Sequence, residues 1–291
     1  MGTLRRLPRR RSPRLPLAAA ILAAAGVVIV ALLALAAQQS AGGSRTAPPW
    51  RLPPANSGFD YQIGGPYSPQ PRAAVVVRDR DTKPAPRHYN VCYVNAFETQ
   101  VVDEGFWMRR HPDLLLRIDG SPVEDPNWPG QYLLDTSTAE HRAALVKIVS
   151  AWIRGCAAKG FDAVEFDNLD SWYRSNDRIS VADNLALARS LVDVAHDHRL
   201  AAAQKNGAVL KDEGRETAGF DFAITESCEV FDECDSYTDA YGARVFEIEY
   251  TDESGDPFPR ACAARGGRIS IILRDRLVVP EGKPDYRYDA C

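Results

Sequence analysis

The chain has 291 residues, 45% hydrophobic, 25% charged and 9% aromatic, a globular composition that excludes a disordered, collagen-like or small disulfide-stapled protein. The formal net charge of -4 conceals a division: residues 1–50 hold seven Arg and no acid, leaving 28 Lys+Arg against 39 Asp+Glu, about -11, in the rest. A folded part that acidic repels nucleic acid and favours cationic partners.

Residues 1–14 form a basic tail with six Arg, from Arg5 to Arg14. Residues 15–37, LPLAAAILAAAGVVIVALLALAA, carry no charge and are long enough to span a bilayer. By the positive-inside rule the tail stays cytoplasmic and everything after Ala37 emerges outside. The segment reads as a transmembrane anchor or as a signal peptide cleaved near Ala34-Leu35-Ala36; both readings export the domain and make it membrane-anchored or secreted. Residues 38–56 are rich in Ser, Gly and Pro and read as a flexible linker, which puts the domain at 57–291.

Within the domain, short apolar runs recur: FDYQIG from Phe59, AAVVVRD from Ala73, NVCYVNAF from Asn90, QYLLDTS from Gln131, FDAVEFDN from Phe161, AAAQKN from Ala201, FDFAITES from Phe220, RVFEIEY from Arg244 and RISIILRD from Arg268. Runs of this length suit strands buried on both faces of a parallel sheet. Amphipathic helices separate several of them. One is expected to open with a Ser137–Glu140 capping box and end at Gly160, with Leu145, Ile148, Val149, Trp152 and Cys156 on one face; a second opens at Ser180 with Asp183 three residues on. This alternation predicts an α/β fold, a (β/α)8 TIM barrel, with nine strand candidates for eight places. A doubly wound open sheet is the alternative, but no Gly-rich turn follows the first strand. All six Cys follow the apolar segment, in a disulfide-permissive setting that allows 15 pairings, of which the short loop Cys228–Cys234 is the one expected. No Cys or His set has metal-ligand spacing, so neither a metal nor a cofactor is expected.

In such a barrel the strand C-termini build the active site. They end here in acids and amides: Asn95 and Glu98; Asp135; Glu165, Asp167, Asn168 and Asp170; Lys205 and Asn206; Glu226; Glu247 and Glu249. Packing does not explain an apolar strand that finishes in a carboxylate, although helix N-caps account for some of these residues. Alternation puts Glu165 and Asp167 on one face, where they would repel unless used or paired with a cation such as Lys205. A Glu165–Lys205 ion pair that only shapes the barrel top is the structural alternative. Asp167 and Glu226 can face each other across a substrate. Paired carboxylates without a phosphate loop, a nucleophile elbow or a Cys–His pair point to glycoside hydrolysis. Tyr93, Trp107, Trp128, Trp172, Tyr173 and Tyr250 near the strand ends are candidates for stacking on sugar rings.

The segments VCYVNAFE, WPGQYLLDTST, GFDAVEFDNLDSW, AAQKN, DFAITESCEVFDECD and VFEIEY, in this order, resemble family 114 of the glycoside hydrolases, the endo-α-1,4-polygalactosaminidase-like barrels. The resemblance runs from about Phe59 to Asp275, and its most specific elements are Glu165-x-Asp167-Asn168-x-Asp170 and Glu226-x-Cys228. It implies endo-cleavage of an α-1,4-linked galactosamine polymer, with Asp167 and Glu226 as the catalytic pair. The substrate contacts expected beside them are Glu165, Asn168, Asp170, Lys205, Asn206, Asp135, Tyr93 and Glu249. FDYQIG stands where the family has a Trp-rich strand, and Thr225 where Asn is common. A deacetylated galactosamine polymer is cationic, which the acidic domain would attract. A non-catalytic carbohydrate-binding protein on the same barrel is the alternative reading, and a barrel enzyme of other chemistry a third.

Overall fold

A computed structural model describes residues 48–291. The basic tail, the apolar segment 15–37 and most of the expected linker lie outside the described residues. Among those described, no helix is long and apolar enough to cross a membrane.

The folded unit begins at Pro49. The end of the expected linker is already pinned to the domain: the Trp50 ring stacks on His196 at 3.7 Å and its indole donates to Asp221 Oδ1 at 3.1 Å, while Arg51 pairs with Asp162 at 2.7 Å. Eight strands then form one parallel array. In chain order the strands are β1 (Phe59–Gln62), β2 (Val75–Asp79), β3 (Tyr89–Asn95), the small hairpin β4 (Arg117–Ile118) and β5 (Ser121–Pro122), β6 (Ala163–Asp167), β7 (Ala201–Lys205), β8 (Phe222–Glu226), β9 (Val245–Tyr250), β10 (Ser270–Arg274) and β11 (Tyr288–Ala290). The large sheet runs β1-β2-β3-β6-β7-β8-β9-β10-β11, all parallel except β11, which is antiparallel to β10.

The sheet is curled. Alternate residues of its parallel strands, among them Phe59, Val77, Val91, Ala203, Phe222 and Phe246, gather in one inner cluster. Phe246 of β9 touches Phe59 of β1 at 5.3 Å and Phe222 of β8 at 5.9 Å. At the sheet's two ends, Arg274 of β10 donates to the Tyr61 carbonyl of β1, and the Tyr288 hydroxyl of β11 to the Phe59 carbonyl at 2.9 Å. The other residue of each pair faces a second apolar layer shared with the helices, including Val94, Val164, Phe166, Ala202 and Val245.

Eight of the nine strand candidates are these parallel strands. The ninth, QYLLDTS, makes only isolated bridges, Tyr132 to Glu124, Leu133 to Glu98 and Leu134 to Leu115, within an excursion after β3. Its Leu pair is buried beneath that excursion, which explains a strand-like apolar run outside the sheet. Strict β–α alternation also fails early, because no helix joins β1 to β2 or β2 to β3. The outward faces there are polar. Asp60, Gln62 and Arg78 are buried and bonded to one another and to loop atoms: Arg78 donates to Gln62 at 2.9 Å and to the Tyr67 carbonyl at 2.7 Å. Loops rather than a helix cover these faces, and buried polar groups there have to be paired.

The helix Ala139–Lys159 starts one residue later than expected. Thr138 caps it by accepting from the His141 amide at 3.1 Å, while Ser137 turns back to Asp135, and Gly160 closes it with φ 89°. The helix Val181–Asp197 has the full expected Ser180–Asp183 capping box. Three disulfides pair all six Cys: Cys92–Cys156 joins β3 to the helix Ala139–Lys159, Cys228–Cys234 closes the short loop as expected, and Cys262–Cys291 ties the helix Pro257–Arg265 to the C-terminal residue.

Candidate active site

Strand alternation decides which side chains enter the curled sheet. On β6, Ala163 joins the inner cluster while Val164 and Phe166 join the outer layer, so Glu165 and Asp167 point inward together, as the alternating pattern required. On β7 and β8 the same alternation turns Lys205 and Glu226 inward. The Lys205 side chain is 2% exposed, and its ammonium lies 3.1 Å from Asp167 Oδ1, 3.1 Å from Glu226 Oε2 and 3.3 Å from Glu165 Oε1. Because both contacts run to one nitrogen, the nearest oxygens of Asp167 and Glu226 are at most about 6 Å apart. Lys205 therefore holds all three carboxylates, beyond the Glu165 pair weighed from the sequence.

Each carboxylate also receives a phenol from another strand. Tyr93 donates to Asp167 Oδ2 at 2.5 Å, Tyr61 to Glu165 Oε1 at 2.8 Å, and Tyr250 to Glu226 Oε1. Asn206 adds a bond to Glu226 Oε2 at 2.9 Å and accepts from the Glu226 amide at 2.9 Å. Burial and the adjacent acids push the three phenols well above their ordinary pKa, so they stay protonated donors. Burial alone would lower the Lys205 pKa, yet Asp167, Glu226, Tyr61 and Glu165 hold it well above the ordinary value and keep the ammonium charged. Burial would likewise raise Asp167, but Lys205, the Tyr93 hydroxyl and the Asn168 amide hold it below the usual carboxylate range. Glu165, deeper in, is pushed by burial to about 7 against the pull of Lys205.

Above this ring a cavity of about 290 Å³ opens between the strand ends, lined by Tyr93, Asp167, Lys205, Glu226, Tyr250 and Trp128 among others. Asn168 and Asp170 also line it. They are organised by Arg174, which donates to Asn168 and Asp170 at 3.1 Å each and pairs with Glu98 at 2.8 Å and Asp125 at 2.8 Å. Burial lifts Glu98 to about 8 despite Arg174. Two expected contacts lie elsewhere. Asp135 follows the run that is not a sheet strand, and its carboxylate is taken by the amide and hydroxyl of Ser137 at 2.9 and 2.6 Å. Glu249 points outward, because Phe246, Ile248 and Tyr250 occupy the inner face of β9; it is fully buried beside Glu247 and accepts from the Glu229 amide at 3.1 Å. Glu247 faces the same way, against Arg265 at 3.1 Å.

Tyr61, Asp125, Arg174 and Arg276 belong to the site or its lining and were not singled out from the sequence. Tyr61 was accessible to the same alternation rule, since it lies two residues from the inner Phe59; Asp125 and Arg276 sit in loops and Arg174 ends a single 3-10 turn, none long enough to show a period. Of the aromatic candidates, Trp107 is a core residue 1% exposed and Trp172 is buried, whereas Trp128 and Tyr173 present their rings to solvent.

This is a mouth of paired carboxylates around one ammonium, and it has the donor set for acid–base work on a glycosidic bond. The profile of glycoside-hydrolase family GH114 matches residues 39–291. The chain belongs to that family, and it is a GH114 glycoside hydrolase. Among solved structures it is similar to Aspergillus fumigatus Ega3 in complex with galactosamine, at 19% identity and TM-score 0.66, over 86% of this chain and 100% of that one. It is also similar to a variant of the glycoside hydrolase domain of PelA from Pseudomonas aeruginosa, at 16% identity and TM-score 0.53, over 79% of this chain and 98% of that one. At these identities the likeness is one of fold. No curated protein sequence matches this chain.

Proposed function

We propose that this GH114 enzyme is an exported endo-hydrolase of α-1,4-linked, galactosamine-containing polysaccharide, and that it works by retaining, two-carboxylate catalysis on a closed (β/α)8 barrel. The observation that carries the mechanism is the shared 3.1 Å contact of Asp167 and Glu226 with Lys205. Sharing one ammonium keeps their nearest oxygens within about 6 Å, short of the roughly 6.5–9.5 Å that an inverting enzyme leaves for a water, and this supports the retaining reading.

Asp167, held ionised by Lys205 and Tyr93, attacks the anomeric carbon from the face opposite the leaving oxygen. Glu226 gives its proton to that oxygen as the bond to the next sugar breaks. Glu226 then takes a proton from water, which attacks the glycosyl–Asp167 ester and restores both carboxyl groups. Lys205 and Tyr93 bind the Asp167 oxygens and orient the nucleophile; Tyr250 and Asn206 orient Glu226. Trp128 offers a stacking face, and Asn168 and Asp170 present polar groups to the sugar in the cavity.

The substrate assignment draws on the galactosamine bound to the structurally similar Ega3 and on the acidity of this chain beyond residue 50. A polymer bearing protonated amines is drawn toward such a surface. Export is supported by the three disulfides and by the sequence before them, the basic tail 1–14 and the anchor or signal 15–37. Incubation with partly deacetylated galactosaminogalactan should release oligosaccharides detectable by mass spectrometry, and NMR should show the α-anomer first. An uncut polymer refutes the substrate; an early β-anomer refutes retention.

A further inference from the structure

Beside the catalytic cavity lies a second depression of about 240 Å³, and the two share Asp170, Asn206, Glu226 and Arg276. Its rim carries two aromatic rings left in solvent, Tyr173 at 67% exposure and Phe231 at 66%. Among the described residues seven large apolar side chains are exposed, and four of them, Trp128, Leu277, Tyr173 and Phe231, line one of these two cavities. Exposed apolar surface gathered round one cleft marks a ligand-binding surface.

Both rings are held out by braced turns. Phe231 sits in the loop closed by Cys228–Cys234, where the Val230 and Phe231 amides donate to the Ser227 carbonyl at 3.0 and 3.2 Å. Tyr173 sits between buried Trp172, which anchors its turn, and Arg174, fixed by Glu98, Asp125 and Asp170. The turns follow β8 and β6, the strands that deliver Glu226 and Asp167. The short disulfide loop thus presents a ring beside the catalytic pair.

The two catalytic carboxylates divide unequally between the cavities. Asp167 lines the first alone, whereas Glu226 lines both. In glycoside cleavage the attacked carbon belongs to one sugar, and the protonated oxygen bridges to the next. A nucleophile therefore belongs to one subsite, and the proton donor to the boundary between two. We infer that the depression rimmed by Tyr173 and Phe231 is the leaving-group subsite, which holds the sugar next to the scissile bond, and that it takes a hexosamine bearing a protonated amine. This rests on the roles given above to Asp167 and Glu226.

The chemistry of the lining selects that ligand. Asp170, Glu226, Glu233 and Glu253 face it with Arg276 as the only cation among the lining residues, and the Arg276 guanidinium is already shared between Asp252 and Glu253. The apolar C–H face of a pyranose stacks on the rings while its ammonium finds the carboxylates. A neutral hexose would keep the stacking and lose the charge contact.

The test uses full-length protein and defined α-1,4-galactosamine oligomers, with thermal unfolding run in parallel. Tyr173→Ala and Phe231→Ala should each lower kcat/KM on a hexamer by about three- to tenfold, chiefly through KM, and should move the preferred cleavage position. Tyr173→Phe and Phe231→Tyr should restore both, because the ring face does the binding. N-acetylation of only the leaving-side unit should weaken wild-type cleavage, and Glu233→Gln should reduce that preference. Wild-type cleavage with both Ala variants unchanged in kcat/KM and pattern overturns the subsite while leaving the catalytic reading intact. Wild-type protein that leaves the hexamer uncut overturns the catalytic reading and the subsite with it.

Discussion

Replacing Glu165 by Gln probes how the enzyme tolerates three carboxylates around one ammonium. The Glu165 side chain is fully buried, Oε1 accepts from Tyr61 at 2.8 Å and faces Lys205 at 3.3 Å, and Oε2 has no partner among the described residues. Burial lifts its pKa from 4.5 to about 7. The folded chain thus holds this proton more tightly than the unfolded chain. The stability it contributes is complete below about pH 4.5 and is lost as pH rises through about 7, a difference of about 3 kcal/mol. Gln imitates the protonated carboxyl at every pH and still accepts from Tyr61, while Asp167 remains to match Lys205. Urea unfolding followed by far-UV circular dichroism at pH 4 and pH 9 should therefore show the variant gaining about 3 kcal/mol on the wild type between the two conditions. A stability difference independent of pH refutes the reasoning, since it would mean that Lys205 offsets burial and holds Glu165 at its unfolded pKa.

Asp167→Asn and Glu226→Gln should each lower kcat by about 10²–10⁴-fold or more while leaving the fold intact, because each removes one member of the acid–base pair; turnover near the wild-type rate in either would reassign it. Azide should rescue Asp167→Ala as a β-glycosyl azide, and that product from Glu226→Ala instead would exchange the two roles. Lys205→Met removes a cation that holds Asp167 ionised, so the acid limb of kcat/KM against pH should move up by about 1–3 units, with about 3–5 kcal/mol of stability lost; an unmoved acid limb would show that Tyr93 and the Asn168 amide suffice.

Local regularities made much of this enzyme legible in its sequence. Period-two alternation placed Glu165 and Asp167 on one face of β6, and apolar run length marked all eight parallel strands. The Ser180–Asp183 box and the six-residue separation of Cys228 and Cys234 also act over distances that one turn of chain can span. Where two local rules competed, tertiary structure chose. Glu249 ends an apolar strand as an active-site acid would, yet Ile248 and Tyr250 claim the inner face and turn it outward. Leu133 and Leu134 look like strand residues because they are buried, but what buries them is an excursion after β3, so Asp135 stands at a helix start and not at a strand end. The contacts that define the site, Lys205 among three acids, a phenol on each acid, and Arg174 across Glu98, Asp125 and Asp170, join residues brought close by the order of strands in a curled sheet. Sequence by itself determined which chemical groups the strands carry and on which face most of them lie; only the curling of the sheet decided that one buried ammonium would hold Asp167 and Glu226 close together, because that distance depends on which strands are neighbours in space.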